Sequence, residues 1–393
     1  MTQRLSRWAL LLFGSAVLAG CIPGQPSILA RPQADWADAE SVRSDTLAAG
    51  LILHTVQLAR GPWVVNLLEA DRASCWNPVA IKAGGQAVGR APTSVLLRTL
   101  ADTLAVPVGG AVNADFFSFD PPGIPVGAHI NDGQVISGPS PSRPLVGFDR
   151  SGRIWMGVLG TAGFLRADGD SIPLAGWNQR RADGIRLFDS RWGRATDSAS
   201  RTLELAVDSS GRIITVDTTD AGTPIPAGGS VIAIDGADSS LHAQRARALR
   251  VGSTVTWRIA LAPLTPVVAV GGLPVLLTDS VITPRLDSIG GANFGPIRHP
   301  RTAVAVRHDR QRLLLVTVDG RQPGYSEGMT LVELAGFLRA IGASDAINLD
   351  GGGSTTMAVR RADGSVAVVN RPSDRNGERA VANALALVRR CRP

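Results

Sequence analysis

The stretch Ala346-Ile347-Asn348-Leu349-Asp350-Gly351-Gly352-Gly353-Ser354-Thr355-Thr356 ends a short apolar run in an asparagine and an aspartate, then continues into three glycines and three hydroxyl side chains. Consecutive glycines allow unusual backbone paths, and their N–H groups can approach a ligand closely enough to form an anion-binding nest. A flexible Gly-Ser turn would not need Asn348 and Asp350 at a strand end. The Walker lysine is absent, so this is not a P-loop. We therefore predict a ligand site with a carboxylate beside the nest.

Two other apolar runs end in polar residues of the same kinds. Leu313–Val318 is followed by Asp319-Gly320-Arg321, and Ala111-Val112 is followed by Asn113-Ala114-Asp115 and two phenylalanines. Taken singly, such groups are more often turns or core aromatics. Their joint occurrence with the glycine-rich stretch indicates one site built from several strand ends.

The composition indicates a β-rich globular protein. The chain of 393 residues is 44% hydrophobic and 19% charged, with 44 glycines, 25 prolines, nine phenylalanines and one tyrosine. Many turns between short strands are expected from this. Leu51–Leu58 and Trp63–Leu68 read as early strands, and residues 200–290 alternate apolar and polar positions as sheets do.

Helical patterns are sparse. Thr93–Leu104 is one candidate, and Thr330–Ile341 is the better one, because it ends at Gly342 as a helix C-cap would. We predict an α+β fold of β-rich mixed sheets with few helices, forming a single domain over residues 46–393.

The amino terminus predicts export and a lipid anchor. Two arginines precede an apolar run, Trp8–Ala19, which is too short to span a bilayer. The run ends in Leu18-Ala19-Gly20-Cys21, which resembles the bacterial lipobox, whereas an ordinary cleaved signal peptide with a chance cysteine is the alternative. We predict a signal peptide at 1–20, lipidation of Cys21, a tether at 21–45, and a bacterial cell-envelope lipoprotein held on the membrane surface by its acyl chains.

The two remaining cysteines are far apart in sequence. An exported protein resides where disulfides persist, so we predict that Cys75 pairs with Cys391; two free buried thiols are the alternative. A bond closing so long a loop stabilises mainly by restricting the unfolded chain. The separation excludes a CxxC redox or zinc motif.

The charge favours an anionic small ligand over nucleic acid. The net charge is +7 and Lys82 is the only lysine, so nearly all positive charge is arginine, which binds phosphate and carboxylate through a planar fork. The arginines are scattered along the chain and are not interleaved with aromatics, so no nucleic-acid partner is expected.

Five ordered motifs together resemble the phosphodiester glycosidase family. They are NADFF (113–117), HPRTAVAV (299–306), VDGRQPGYSEGMTLVELA (318–335), AINLDGGGSTT (346–356) and NRPSDRNGERAVANAL (370–385). The resemblance covers roughly Leu51–Val388 and is strongest from His299. It implies a mixed α and β architecture and a hydrolase that releases α-linked N-acetylglucosamine from a phosphodiester. In bacteria it implies a substrate in cell-wall or extracellular sugar-phosphate polymers.

The resemblance also implies the site residues. The catalytic candidates are Asp350, then Asp319 ahead of Glu333 for the acid or base role. The substrate-binding candidates are Asn113, Asp115, Arg301, Thr302, Arg321, Ser326, Asn348, Gly351, Gly352, Ser354, Thr355, Asp374 and Arg379, with Asn370, Ser373 and Glu378 nearby in the last motif. Many relatives have a second glycine where this chain has Ala114-Asp115.

The chemistry of the leaving group shapes the predicted mechanism. A phosphodiester departs as a stable anion, so it needs little protonation and much positive charge; Arg301, Arg321 and the glycine-loop N–H groups are expected to supply that charge. The five histidines are not spaced as a metal cluster, so no cofactor is required. A divalent cation held by Asp350, Asp319 and substrate phosphate remains an open alternative, as do retention and inversion.

Two other functions use the same residues. A non-catalytic, lectin-like surface lipoprotein could bind sugar phosphates, but carboxylates beside an anionic ligand would oppose binding. A phosphodiesterase that attacks phosphorus would normally need a metal cluster or a nucleophilic histidine, and neither pattern is present.

Overall fold

The computed structural model describes residues 39–120, 122–167, 169–179, 184–196, 202–219 and 222–391. The predicted signal peptide and Cys21 lie outside the described residues. The first strand begins at Ala39, within the stretch 21–45 that was expected to be a tether. No helix in the described part of the chain has the length and apolarity needed to cross a membrane.

The chain is rich in short strands. The first fourteen are β1 (Ala39–Ala48), β2 (Leu51–Leu58), β3 (Trp63–Asp71), β4 (Trp76–Lys82), β5 (Val108–Asn113), β6 (Phe117–Phe119), β7 (Pro122–Pro125), β8 (His129–Asn131), β9 (Gln134–Ser137), β10 (Leu145–Phe148), β11 (Ile154–Gly157), β12 (Gly160–Ala167), β13 (Asp170–Leu174) and β14 (Gly176–Trp177). The others are β15 (Ile185–Asp189), β16 (Thr202–Val207), β17 (Ile213–Thr219), β18 (Ser230–Ile234), β19 (Val255–Ala262), β20 (Val268–Gly271), β21 (Val275–Thr278), β22 (Val281–Ile282), β23 (Arg301–Arg307), β24 (Arg312–Val318), β25 (Ala343–Asn348), β26 (Met357–Arg360), β27 (Val366–Val368) and β28 (Asn383–Arg389). The described α-helices are α1 (Thr93–Thr103), α2 (Leu241–Ala248) and α3 (Leu331–Ala340).

The largest sheet is antiparallel and has the strand order β1-β2-β3-β24-β23-β25-β21-β22. One face of its central strands packs on α3, where Leu314 and Val316 meet Leu334 and Leu338. The other face, which includes Leu315, packs on a second sheet. Because β24 is covered on both faces, its sequence is apolar at nearly every position instead of alternating.

The second main sheet is five-stranded, with the order β27-β26-β5-β28-β4. Its inner face contributes Val112, Met357 and Leu385 to the core shared with the large sheet. Its outer face is covered by Leu96 and Leu97 of α1. The layers therefore run α3, large sheet, five-stranded sheet, α1, and this two-sheet sandwich is what positions the site.

A further hydrophobic core lies among strands β12 to β19. The residues Leu165, Leu187, Leu205, Ile232 and Val255 all contribute to it. The β-rich part was predicted at residues 200–290, whereas the strands around this core lie between positions 160 and 262. The β-rich part begins earlier in the chain than predicted because β12 pairs with β19. This pairing spans a long sequence separation, and local alternation of apolar and polar residues does not reveal it.

The predicted α+β, β-rich class is confirmed, and so are the two predicted helices, with Gly342 in the left-handed conformation at φ +86° after α3. Helix α2 was not predicted. The disulfide between Cys75 and Cys391 is also confirmed, with Cα atoms 4.6 Å apart. It lies where β4 and β28 pair side by side, and it ties the end of the domain to its early part.

Candidate active site

Antiparallel pairing brings separate sequence motifs to one edge of the large sheet. Arg301, at the start of β23, pairs with Val318, the residue before Asp319. Ala303 of β23 pairs with Asn348, at the end of β25. Since neighbouring strands run in opposite directions, the end of one strand lies beside the start of the next. The motifs around positions 301, 319 and 348 therefore meet at this edge.

Asn113 joins the two main sheets beneath the glycine-rich loop. It is fully buried at the end of β5. Its Nδ2 donates to the Asp350 carbonyl oxygen at 2.6 Å, and its Oδ1 accepts from the Thr302 hydroxyl at 2.7 Å and the Thr356 N–H at 3.1 Å. An amide side chain can donate and accept at once. Asn113 and Thr302 therefore fasten the loop in place.

Asp350 presents a partly exposed carboxyl group at this edge. The Gly351 N–H donates to its Oδ1 at 2.9 Å. Burial raises the pKa of Asp350 to about 6, although the Ser354 hydroxyl, the Gly351 N–H and Arg379 all act to lower it. A carboxyl group held between its two protonation states near neutral pH is suited to acid–base or nucleophilic work.

The glycine-rich loop does not offer the anion nest that the sequence suggested. Its N–H groups donate within the protein: Gly352 to Pro300 O at 2.9 Å, Ser354 to Gly351 O at 3.2 Å, and Thr355 to Gly352 O at 3.1 Å. A side chain at Gly351 would place its Cβ 2.6 Å from Pro300 O. The N–H groups of Gly352, Ser354 and Thr355 are therefore engaged within the protein, and the glycines allow close packing against the start of β23.

Asp115 is the most deeply buried carboxyl group near Asp350, with 1% of its surface exposed. Its Oδ2 accepts from the Gly127 N–H at 2.6 Å, and its own N–H donates to Asn383 Oδ1 at 2.9 Å. Burial raises the pKa of Asp115 to about 7. The Asp350 carboxylate also acts to raise this pKa, whereas Arg143 and the Gly127 N–H act to lower it. Asp115 and Asp350 are therefore electrostatically coupled carboxyl groups.

Arg143 is a site residue that the sequence analysis missed. Its Nη2 lies 3.9 Å from Asp115 Oδ1, and its guanidinium carbon lies 5.0 Å from the centroid of the Phe116 ring. Its charge acts to lower the pKa of both Asp115 and Asp350. Neither its Nε nor its Nη2 donates a hydrogen bond within the described part of the chain, and both atoms are buried. No motif surrounds this arginine, so only tertiary contacts reveal it.

Asp319 is buried and fully engaged by the last motif. Its carboxylate accepts from Asn370 Nδ2 at 3.1 Å, from the Arg371 N–H at 3.0 and 3.1 Å, and from the Tyr325 hydroxyl at 3.1 Å. Burial raises the pKa of Asp319 to about 6, and these hydrogen bonds act in the opposite direction. Asn370 also donates to Thr355 O, so Asp319 supports the glycine-rich loop through one intermediate residue.

Arg301 and Ser326 hold backbone in place. Arg301 is 1% exposed, and its guanidinium donates to the carbonyl oxygens of Met329, Phe294 and Ile297 at 2.7–2.9 Å. Ser326 donates to Asp319 O at 2.6 Å and accepts from a backbone N–H of β3. The prediction that Arg301 receives the phosphate is not supported, because these donors are already bonded to the fold.

Arg321 lies above the glycine-rich loop and is exposed. Its Nη2 contacts His299 Nδ1 at 3.2 Å, while His299 Nε2 lies 2.9 Å from Asn293 O. A Cβ at Gly352 would lie 3.1 Å from the Arg321 guanidinium. Since Gly352 also has a φ of +63°, a glycine here serves both the backbone conformation and the approach of the arginine.

Asp374 and Arg379 form a half-buried, two-pronged ion pair, with N–O distances of 2.9 and 3.0 Å. The pair packs directly on Gly353, because a Cβ there would lie 2.0 Å from Asp374 Oδ1 and 2.2 Å from Arg379 Nη2. Arg379 also acts to lower the pKa of Asp350. The last motif therefore places one more positive charge beside the loop.

Several buried side-chain oxygens at the site have no hydrogen-bond partner within the described residues, among them those of Asn348 and Thr355. Asn348 uses its Nδ2 to donate to Leu273 O at 2.6 Å and Leu349 O at 2.7 Å, which leaves its Oδ1 without a donor. The Thr355 hydroxyl is likewise unpaired. Buried polar atoms are normally bonded, so such atoms favour a polar ligand at the site.

Glu333 caps a helix and is not brought to Asp350. Its carboxylate accepts from the Thr330 N–H at 2.9 Å in a capping box at the start of α3, and it pairs with Arg298 at 2.6 Å. Partial burial acts to raise the pKa of Glu333, but the hydrogen bonds from Arg298 and Thr330 outweigh it and lower the pKa. The structure does not support its predicted acid or base role. Glu378 also accepts from a helix N-terminus, at Ser94.

The sequence and the fold both resemble those of known proteins. Residues 201–388 match the family model for phosphodiester glycosidases. This match is to the family that the five motifs resemble. No curated protein matches the sequence.

Three solved structures resemble the fold. A hypothetical protein from Synechocystis has a TM-score of 0.76 at 22% identity; the match covers 90% of this chain and 65% of that chain. A candidate exported protein from Burkholderia pseudomallei has a TM-score of 0.66 at 26% identity, covering 83% and 74%. The catalytic domain of zebrafish N-acetylglucosamine-1-phosphodiester α-N-acetylglucosaminidase, auto-inhibited by its pro-peptide, has a TM-score of 0.46 at 17% identity, covering 89% and 82%. This chain thus spans about 65% of the length of the Synechocystis protein.

Proposed function

We propose that the protein is a hydrolase that cleaves the glycosidic bond of a sugar-1-phosphodiester. The observation that carries the proposal is the group formed by Asp350, Asp115 and Arg143, in which one arginine acts on two coupled carboxyl groups whose pKa values are raised. Glycoside hydrolysis uses a pair of carboxyl groups in this way. The match of residues 201–388 to the phosphodiester glycosidase family supports the same reaction.

Asp350 is the carboxylate that faces the anomeric carbon, because it is the partly exposed member of the pair. Asp115, which is buried and readily protonated, serves as the second carboxyl group in place of Asp319 and Glu333. The Asp319 carboxylate is engaged by Asn370, Arg371 and Tyr325. The C1–O bond breaks, the phosphate keeps the bridging oxygen, and water supplies the new hydroxyl on the sugar. The products are a free sugar and a phosphomonoester.

Arg143 replaces Arg301 as the principal phosphate-binding residue in this proposal. Two of its nitrogens make no hydrogen bond within the described residues, whereas the guanidinium of Arg301 is occupied by carbonyl oxygens. Arg321 and Arg379 add positive charge near the loop. A phosphodiester leaves as an anion, so fixed positive charge lowers the barrier more than a proton donor would.

The finer assignments extend the family-level reaction. We propose an α-linked N-acetylglucosamine substrate in a cell-surface or extracellular sugar-phosphate polymer, and an exported protein anchored by a lipid at Cys21. The confirmed disulfide supports export, because such bonds persist outside the reducing cytosol. Among the described residues no three His, Cys, Asp or Glu side chains group as around a metal ion, and we propose that no cofactor is required.

The test uses the purified protein with UDP-N-acetylglucosamine and with simple α-N-acetylglucosaminyl phosphodiesters in ¹⁸O-labelled water. We expect free sugar carrying the label at C1 and unlabelled phosphate; label in the phosphate would mean cleavage at phosphorus and refute the proposal. The anomeric form released first, read by NMR, separates retention from inversion. Activity that survives chelation by EDTA supports the absence of a metal requirement.

Matched variants complete the test. Asp350→Asn should lower kcat by a factor of roughly 10²–10⁴, the range for a lost acid–base group. Arg143→Gln should lower it by roughly 10²–10³, the range for a lost charge-stabilising donor. Asp102→Asn, an equal charge change at an exposed position on α1, is the control. Binding of intact substrate without turnover would instead indicate a sugar-phosphate-binding surface protein.

A further inference from the structure

A chain of buried hydrogen bonds leads from Asp115 to His129, and the proposed reaction does not yet use it. The Asp115 N–H donates to Asn383 Oδ1 at 2.9 Å, and Asn383 Nδ2 lies 3.1 Å from His129 Nδ1. Asn383 begins β28 and His129 begins β8, and both side chains are 0% exposed. Tertiary packing therefore brings a buried imidazole within two hydrogen bonds of the main chain at Asp115.

The first hydrogen bond of this chain fixes the direction of the second. A backbone N–H can only donate, so the atom of Asn383 that faces Asp115 is the amide oxygen. The amide nitrogen then faces His129. Because an amide nitrogen also can only donate, Nδ1 of His129 is the unprotonated nitrogen of the ring. The single proton of the neutral imidazole therefore resides on Nε2.

The opposite tautomer of His129 would break the chain. A proton on Nδ1 would face the amide hydrogens of Asn383, and a rotated amide would turn those hydrogens towards the Asp115 N–H instead. Burial lowers the pKa of His129 to about 3, and the positive charge of Lys82 acts in the same direction. The ring therefore stays neutral near pH 7 and keeps the bare nitrogen that the Asn383 amide requires.

The segment that enters β8 also holds the carboxyl group of Asp115. Gly127, two residues before His129, donates its N–H to Asp115 Oδ2 at 2.6 Å. The Ser137 hydroxyl in turn donates to Gly127 O at 2.9 Å, and Ser137 is the strand partner of His129. Residues 127–129 thus fix the carboxyl group of Asp115 directly and its main chain through Asn383.

We propose that His129 is a positioning residue for the hydrolysis: with its proton on Nε2 it orients the Asn383 amide, and that amide holds Asp115 beside Arg143. The inference rests on the proposed function, in which Asp115 is the second carboxyl group. A misplacement of about 1 Å can cost a factor of roughly 10² in rate. A side chain that never touches the substrate can therefore control kcat.

The kinetic test removes the acceptor nitrogen of His129 and then replaces it. His129→Leu has no acceptor and should lower kcat for an α-N-acetylglucosaminyl phosphodiester by roughly 10–10²-fold, with KM nearly unchanged. In His129→Asn the amide oxygen takes the place of Nδ1 and should recover most of the lost kcat. His54→Leu is the control, because His54 is also buried, at 3% exposed, but bonds to Ser44 on β1 and should leave kcat unchanged.

Two NMR measurements test the arrangement without turnover. In the unchanged protein, the ¹⁵N shifts of His129 should show a protonated Nε2 and a bare Nδ1, and a proton on Nδ1 would overturn the proposal. Exchange of the Asp115 amide hydrogen with solvent should be about tenfold faster in His129→Leu than in the unchanged protein, and slow again in His129→Asn.

Equal exchange rates in all three proteins, or an unchanged kcat in His129→Leu, would also overturn the proposal. If the unchanged protein hydrolyses no phosphodiester, the proposed function fails and the role of His129 in hydrolysis fails with it. The tautomer and the exchange rates would then show separately whether His129 holds Asp115 in place.

Discussion

Replacing Asp115 by asparagine should stabilise the protein by an amount that grows with pH. The side chain is 1% exposed, and burial raises the pKa of Asp115 from 3.8 to about 7. Between these values the folded protein retains a proton that the unfolded chain has released, so rising pH destabilises the fold. Asparagine resembles the protonated carboxyl group and has no charge to bury.

The magnitude follows from the two pKa values. Each pH unit in the window contributes about 1.4 kcal/mol, so ionised Asp115 costs the fold roughly 4 kcal/mol above pH 7. About 3 kcal/mol of this falls between pH 5 and pH 8, because the window begins below pH 5. The advantage of Asp115→Asn over the unchanged protein should therefore increase by this amount between the two pH values.

The assay is urea unfolding followed by tryptophan fluorescence at pH 5 and pH 8. Comparing each variant with the unchanged protein at the same pH cancels the contribution of titrating groups that do not interact with Asp115. Asp102→Asn, the same substitution at an exposed position, is the control. If Asp115→Asn shifts the free energy of unfolding equally at both pH values, then burial does not hold this carboxyl group protonated and the reasoning fails.

Three further predictions concern other parts of the structure. Reduction of the Cys75–Cys391 disulfide should lower the free energy of unfolding by ~4 kcal/mol, and an unchanged melting temperature in reductant would contradict this. Gly353→Ala should abolish hydrolysis, because the added methyl overlaps the Asp374–Arg379 ion pair on the loop. Gly336→Ala on α3, where no atom would contact the added methyl, should raise the free energy of unfolding measured by calorimetry by up to about 1 kcal/mol. Glu333→Gln should cost roughly 1 kcal/mol of stability with kcat unchanged, and a large loss of kcat would restore its catalytic role.

Local patterns predicted the secondary structure of the framework well. Leu51–Leu58 coincides with β2, and the helix expected over Thr330–Ile341 is α3, because periodicity and capping residues act within a few neighbours. They did not predict that β12 pairs with β19, nor that the core of this region begins near position 160. Those features depend on contacts between distant segments.

For the candidate site, the predicted motifs meet at one edge of the large sheet, but some of their side chains make bonds that the motifs did not reveal. Arg301 and Glu333 have the residue types that the chemistry needs. In the fold, however, Arg301 donates to backbone carbonyls, and Glu333 caps α3 and pairs with Arg298. Arg143 stands in no motif, yet its Nη2 lies 3.9 Å from Asp115 Oδ1. A residue type shows which bonds a side chain can make, and only its neighbours show which bonds are already made.

The sequence by itself therefore determined the class of fold, the resemblance to phosphodiester glycosidases, the pairing of Cys75 with Cys391, and the motifs that stand at strand ends. These follow from local periodicity, from ordered motifs and from the small number of cysteines. Only the tertiary structure decided that Asp115 and Asp350 are coupled, that Arg143 acts on both, and that the glycine-rich loop uses its N–H groups internally. Burial, charge proximity and hydrogen-bond occupancy are properties of the packed chain, and no single segment contains them.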